Sequence, residues 1–212
     1  MQRSDRDHQI LEALACKVRV MSLAQIAAAW WPEGATPLIH AQRRMRELYD
    51  AVLVDELTVL GGPMLDLTEP LVLWRRGDPD PDFGAVAWRL TSRWPKVAAA
   101  RMTVFTATQD THNQYGGAVT PRGIKRGQVT HDLHVATVYL HYLRTDPAGA
   151  AAWVGEDTRP KSGYRMKDPD AVLEFTDGRP VHAVEFGGRY EMERVRDFHA
   201  DCAARGRTYE LW

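Results

Sequence analysis

The sequence predicts an α+β chain of two domains with a connecting segment between them. Three observations carry this. Apolar residues recur at helical spacing in three short segments of the first fifty residues. The pattern turns β-type after Asp50. The C-terminal half then runs helix, strand, strand, strand, helix, strand. With 212 residues the chain has room for two small hydrophobic cores.

The first helix is expected in residues 5–17, where Ile10, Leu11 and Leu14 share one face. Ser22 is a natural N-cap for a second short helix, LAQIAAAWW, which Pro32 and Gly34 stop. Thr36-Pro37 starts a third: the hydroxyl caps, and the proline supplies a preset φ at the first helical position. In LIHAQRRMRELYD the spacing turns Leu38, Ala41, Met45 and Leu48 inward and puts His40, Arg43, Arg44 and Glu47 outward or on the flanks. AVLVDELTVL, the turn Gly61-Gly62-Pro63 and MLDLTEPLVLW then predict a β-hairpin.

Three short helices followed by a hairpin is the order of a winged helix-turn-helix, whose third helix enters the major groove of DNA and whose hairpin is the wing. Arg43, Arg44 and Arg46, with His40, fall on that third helix, and guanidinium forks suit phosphate oxygens and guanine edges alike. The expected partner is double-stranded DNA. The net charge of −1 excludes a protein that coats nucleic acid by charge alone, so any footprint is local. Residues 51–80 carry six acids and two bases, so the acids Asp55, Glu56, Asp66 and Glu69 leave DNA contact to the helix rather than the wing. Residues 81–130 carry two acids and seven bases; residues 106–129 are expected to be an extended loop, to which Arg122, Lys125 and Arg126 add positive charge.

GDPDPDFG, residues 77–84, is rich in proline and aspartate and marks a boundary. The expected organisation is residues 1–76 as the winged helix, 77–130 as a connecting helix and basic loop, and 131–212 as an α/β domain. In the last part HDLHVATVYLHYLR is helical and AAWVGED a short strand. DAVLEF and VHAVEF pair through the turn Thr176-Asp177-Gly178-Arg179 as an antiparallel hairpin. Residues 189–205 form a charged helix, and TYELW closes the chain as a strand.

Such a hairpin brings Asp170, at the start of one strand, beside Glu185, near the end of the other. Two carboxylates meeting there have the oxygen chemistry to hold a divalent metal for phosphodiester hydrolysis. KDPDAVLEF…VHAVEFGG resembles the PD-(D/E)xK pattern of the restriction-endonuclease-like superfamily, whose core is a mixed sheet flanked by helices. The whole layout resembles the replication-relaxation family of plasmid and mobile-element proteins, in which a winged helix precedes a nuclease-like domain. The matching pieces are His131-Asp132-Leu133-His134, Trp153, Glu156, Pro169-Asp170 and Glu185.

The resemblance implies Asp170 and Glu185 as Mg2+ ligands and catalytic acids in an active enzyme. The motif lysine two positions after the second acid is missing, however: Gly187 stands there. Lys167 or Lys161 would have to take its place, and the pKa of Arg189 is too high for a general base. The expectation is therefore a DNA-binding protein of plasmid or mobile-element type, a replication or mobilisation accessory or a transcriptional regulator, with an inactive nuclease-like domain. A Mg2+-dependent endonuclease and a protein-interaction adaptor are the alternatives.

Other features narrow the field. His131 and His134, one helical turn apart, have a spacing that supports a metal, but they and His141 lack partner ligands at a recognised spacing. The two cysteines, Cys16 and Cys202, make neither a disulfide framework nor a zinc site by themselves. No apolar run is long enough for a bilayer and Met1-Gln2-Arg3-Ser4-Asp5 is not a secretory signal, so a cytoplasmic protein without a membrane partner is expected. A homodimer is a further expectation, since many winged-helix proteins pair to read two half-sites, but no heptad pattern marks an interface.

Overall fold

The computed structural model describes residues 2–33, 35–118, 123–125, 127–160 and 168–212. Arg122, Arg126, Lys161 and Lys167 lie outside the described residues. The protein is a mixed α+β chain with eight α-helices and two open sheets among the described residues. It forms two compact units, Met1–Met64 with Ala98–Leu140 and Leu65–Val97 with His141–Trp212. No helix of the described residues is long and apolar enough to cross a membrane.

The first unit opens with α1, Asp5–Glu12. Its N-terminus is closed reciprocally: the Asp7 amide donates to the Ser4 hydroxyl, and the Ser4 amide donates to the Asp7 carboxylate at 2.6 Å. The helix widens into a π-type turn over Ala13–Lys17, where Val18 N–H reaches back to the Ala13 carbonyl. A two-residue strand β1, Met21–Ser22, leads into α2, Leu23–Trp30, with a second capping box between Ser22 and Gln25. After α3, Pro37–Asp50, comes β2, Val54–Gly61.

The expected hairpin does not form from neighbouring runs. The strand that follows β2 in sequence, β3 (Val72–Trp74), belongs to the second unit, as does α4 (Phe83–Ser92). β2 pairs instead with β4, Ala100–Ala107, antiparallel from Val54↔Ala107 to Gly61↔Ala100. β1 lies on the other side of β4, giving the order β1-β4-β2. The physical reason is register: all eight residues of β2 find partners on β4, whereas β3 is three residues long and pairs with the C-terminal strand. Residues 109–115, expected as loop, form α5 (Gln109–Tyr115), capped by the Thr108 hydroxyl and ended by Gly116 at φ +73°.

The long helix α6, Val129–Thr145, completes the first unit with its residues up to Leu140. Val20, Val104, Val129 and Leu133 pack together in its core. The Gln25 side-chain amide ties α2 to α6 by donating to the Leu133 carbonyl at 2.7 Å and the Thr137 hydroxyl at 2.9 Å.

In the second unit α7 (Pro147–Ala152) precedes β5 (Trp153–Gly155), β6 (Ala171–Leu173) and β7 (His182–Glu185); α8 (Met192–Ala204) then leads to β8 (Thr208–Leu211). The sheet order is β3-β8-β7-β6-β5. β5, β6 and β7 form an antiparallel meander, and the DAVLEF–VHAVEF pairing is present as expected. β7 and β8 are parallel, which requires the crossover that α8 supplies. One face packs Ala183, Tyr209 and Leu211 against Leu90 of α4 and Val195 and Cys202 of α8. The opposite face meets the last turns of α6, where the Tyr142 hydroxyl donates to Glu210 at 2.8 Å and the His141 ring stands edge-on to Trp212.

Candidate nucleic-acid interface

The orientation of α3 follows from three side chains. Ala41, Met45 and Leu48 are fully buried, and each large one contributes about 1.5–3 kcal/mol of apolar burial. Their three- and four-residue spacing turns Ile39, Arg43, Arg46 and Asp50 to the opposite side, all exposed. Leu38, expected inward, is 51% exposed because it lies on the flank of the first turn, ahead of the buried stripe. Gln42 is exposed as well.

The four α3 residues named from sequence are not equivalent. Arg46 pairs with Asp50 at 3.1 Å and lies over the Tyr49 ring. Arg44 turns back toward α1: its Nε donates to Asp7 Oδ1 at 2.7 Å, Nη2 donates to the Gln2 carbonyl at 3.1 Å, and Nη1 bonds Glu47. Asp7 is fully buried. Burial opposes its ionisation, but the bonds from Arg44 and Ser4 outweigh that and hold its carboxyl at about 2. Arg44 is thus a staple between helices. Arg43 and His40 are exposed, and Arg43 makes no ion pair among the described residues.

His40, Arg43, Arg44 and Glu47 form an i, i+3, i+4, i+7 stripe on the α1-facing flank of α3. Together with Ser4, Arg6 and Asp7 of the α1 end, and Trp31 after α2, they line a polar cleft of about 160 Å³. Arg6 lies with its guanidinium carbon 4.5 Å from the centre of the Trp31 ring. Arg6, Trp31 and Gln42 were not singled out by the sequence. The start of α1 balances Arg3 and Arg6 with Asp5 and Asp7, and nothing local joins residue 6 to residues 31 and 43. Lys125 is exposed, and its carbonyl accepts the Gln128 amide in a turn.

In the second unit the antiparallel register continues from Ala171↔Val184 to set Asp170 opposite Glu185. The Asp170 amide donates to Glu185 Oε2 at 3.0 Å, and the Phe186 amide donates to Asp170 Oδ2 at 2.8 Å. Glu185 is fully buried, and its other oxygen accepts the Tyr190 hydroxyl. Burial and the neighbouring carboxylates Glu185 and Asp170 drive the Tyr190 phenol far upward, so it stays a donor. Both Glu185 oxygens are therefore engaged by protein donors. Glu156, one of the pieces matched by the resemblance, donates its backbone amide to the Asp170 carbonyl at 2.9 Å.

Gly187 has a steric cause. A Cβ there would lie 2.8 Å from Leu90 Cδ2 and 3.1 Å from Leu211 Cδ1, and both leucines are fully buried. Arg189, the other cation near the pair, is exposed with its guanidinium over the Trp94 ring. Among the described residues no group of three or more His, Cys, Asp or Glu is arranged to hold a metal ion. His134 is buried and engaged with the Thr130 carbonyl within its own helix.

Compared with protein-family models, with curated proteins and with solved structures, the chain matches none.

Proposed function

We propose that this chain is a double-stranded DNA-binding protein of plasmid or mobile-element type, acting as a replication or mobilisation accessory or a transcriptional regulator. The first unit is the reader, a winged helix with α3 in the major groove. One observation carries the reading: α3 is anchored by Ala41, Met45 and Leu48 and turns Ile39, Gln42, Arg43 and Arg46 to solvent. That face offers an arginine fork for guanine or phosphate, an amide for adenine and an apolar contact for a thymine methyl. The order of three helices, then strands β2 and β4 paired as a wing, supports the same reading. β2 keeps Asp55 and Glu56 exposed, so the helix rather than the wing is the contact surface.

The second unit, on this proposal, is a restriction-endonuclease-like fold kept without nuclease chemistry, as in the replication-relaxation family. Its meander, crossover helix and parallel strand support the fold assignment. Leu90 crowds any Cβ at the position of the motif lysine, and Tyr190 and the Asp170 amide occupy Glu185, which supports an inactive site. A metal-dependent endonuclease is the second reading, favoured by the meeting of Asp170 and Glu185 across the ladder.

Supercoiled plasmid incubated with the protein and Mg2+, Mn2+ or chelator separates these. A mobility shift without nicking is expected. Metal-dependent nicking that disappears in Glu185→Ala would establish the nuclease instead. Neither shift nor nicking, even at low salt, would move the chain to the protein-interaction adaptor.

A further inference from the structure

We infer that the cleft between the start of α1 and the inner flank of α3 binds one phosphate group of the DNA backbone, held between Arg6 and Arg43. This rests on the DNA-binding reading and assigns Arg6 a role that the α3 face alone does not supply.

The charges of the cleft are already sorted. Asp7 and Glu47, its two carboxylates, are both bonded by Arg44, and Asp7 also accepts from Ser4. No carboxylate among the described residues pairs with Arg6 or Arg43. The cleft therefore presents two guanidinium groups from two different helices, with His40 beside them. Two planar guanidinium forks lining one cleft can share the oxygens of a tetrahedral phosphate between them.

Arg6 is also pre-organised. Its side chain is exposed, yet the guanidinium rests on the Trp31 face, so part of the rotamer entropy that binding would cost is already lost. The Asp7–Arg44 bonds fix the spacing between α1 and α3, and so hold both forks in place. When a third helix lies in the major groove, the elements packed against its flank come to the sugar-phosphate backbone. A contact of that kind positions the protein and carries no base preference.

The test is fluorescence anisotropy of the full chain on random-sequence duplexes over a range of salt, with Arg6→Ala, Arg6→Lys, Arg43→Ala and Arg46→Ala. Arg6→Ala is expected to weaken binding about three- to tenfold at low salt, equally on every duplex, and to flatten the salt slope by about one. Arg6→Lys should recover most of the slope, and the urea midpoint of Arg6→Ala should match that of the unmodified chain. Wild-type affinity and slope in Arg6→Ala, with Arg43→Ala still weakened, would overturn the cleft assignment and leave the DNA reading standing. No duplex binding by the unmodified chain would overturn both. Inorganic phosphate distinguishes the source: thermal stabilisation of the unmodified chain, but not of Arg6→Ala, by phosphate at about the Kd of a free-anion site would assign the cleft to a soluble anion and overturn the backbone assignment.

Discussion

Arg44 on α3 and Asp7 on α1 are joined through Nε to Oδ1 at 2.7 Å, with the carboxylate fully buried and the guanidinium at the edge of a solvent cleft. This pair decides how the arginines of α3 are interpreted. An arginine so engaged serves the helix packing, whereas its neighbour Arg43 is exposed and is the one proposed to meet DNA.

Removing Arg44 leaves a buried carboxylate with Ser4 alone. Arg44→Ala should lower the unfolding free energy by about 2–4 kcal/mol, measured by urea denaturation, because the penalty is that of an unpaired buried charge. Arg43→Ala, on the exposed side, should stay within about 0.5 kcal/mol of the unmodified chain. Equal stability of the two variants would contradict the staple.

The same pair sets an acid limb. The Asp7 carboxyl is lowered to about 2 from an ordinary value near 3.8. A carboxyl depressed in the folded state contributes stability that is fully present above its unfolded pKa and is lost as pH falls through the folded value. Between roughly pH 4 and pH 2 the unmodified chain should therefore lose stability more steeply than Asp7→Asn. Parallel pH–stability curves would remove Asp7 from the account.

Gly187 predicts the fate of a repaired motif. Gly187→Lys restores the lysine spacing of the nuclease pattern, but its Cβ lands against Leu90 and Leu211. The expected outcome is a destabilisation of about 1–3 kcal/mol, from overpacking, and no metal-dependent nicking. A stable, active Gly187→Lys would show that the second unit is one residue away from an enzyme.

Tyr190 and Glu185 make a related prediction. The Tyr190 hydroxyl donates to a fully buried carboxylate. Tyr190→Phe removes the donor and should cost about 1–3 kcal/mol. Glu185→Gln should cost less than Glu185→Ala, because the amide oxygen can still accept. A Tyr190→Phe variant as stable as the parent would mean that the carboxylate finds another donor.

Local signals were legible in the sequence and distant pairings were not. Ser22, Pro37 and the Ala41-Met45-Leu48 spacing placed α2 and α3 close to their observed bounds, because a cap, a first-turn proline and helical periodicity act within a few residues; the Thr36 hydroxyl, expected to cap α3, makes no cap bond. The Asp170–Glu185 pairing was legible for the same reason: a turn at Asp177-Gly178 sets the β6–β7 register. The partner of β2 was missed. Met102, Val104 and Phe105 carry a β-type pattern, but 38 residues separate the end of β2 from the start of its partner, and a nearer run competed for the assignment. Arg44 shows the limit at the site. Its face on the helix was visible, but its partner Asp7 lies 37 positions away on another helix. Leu90, which excludes a lysine at position 187, lies on a helix that sequence reading treated as a connector.

The proposal depends above all on contact between Arg43 of α3 and DNA. Its direct measurement is the affinity of the unmodified chain and of Arg43→Ala for a random-sequence duplex, titrated by anisotropy from low to moderate salt. Binding is expected to weaken steeply with salt and, in Arg43→Ala, to give a weaker complex with a slope shallower by about one, in a protein of unchanged stability. Arg43→Ala binding indistinguishable from that of the unmodified chain, or no binding by either at the lowest salt, would contradict it.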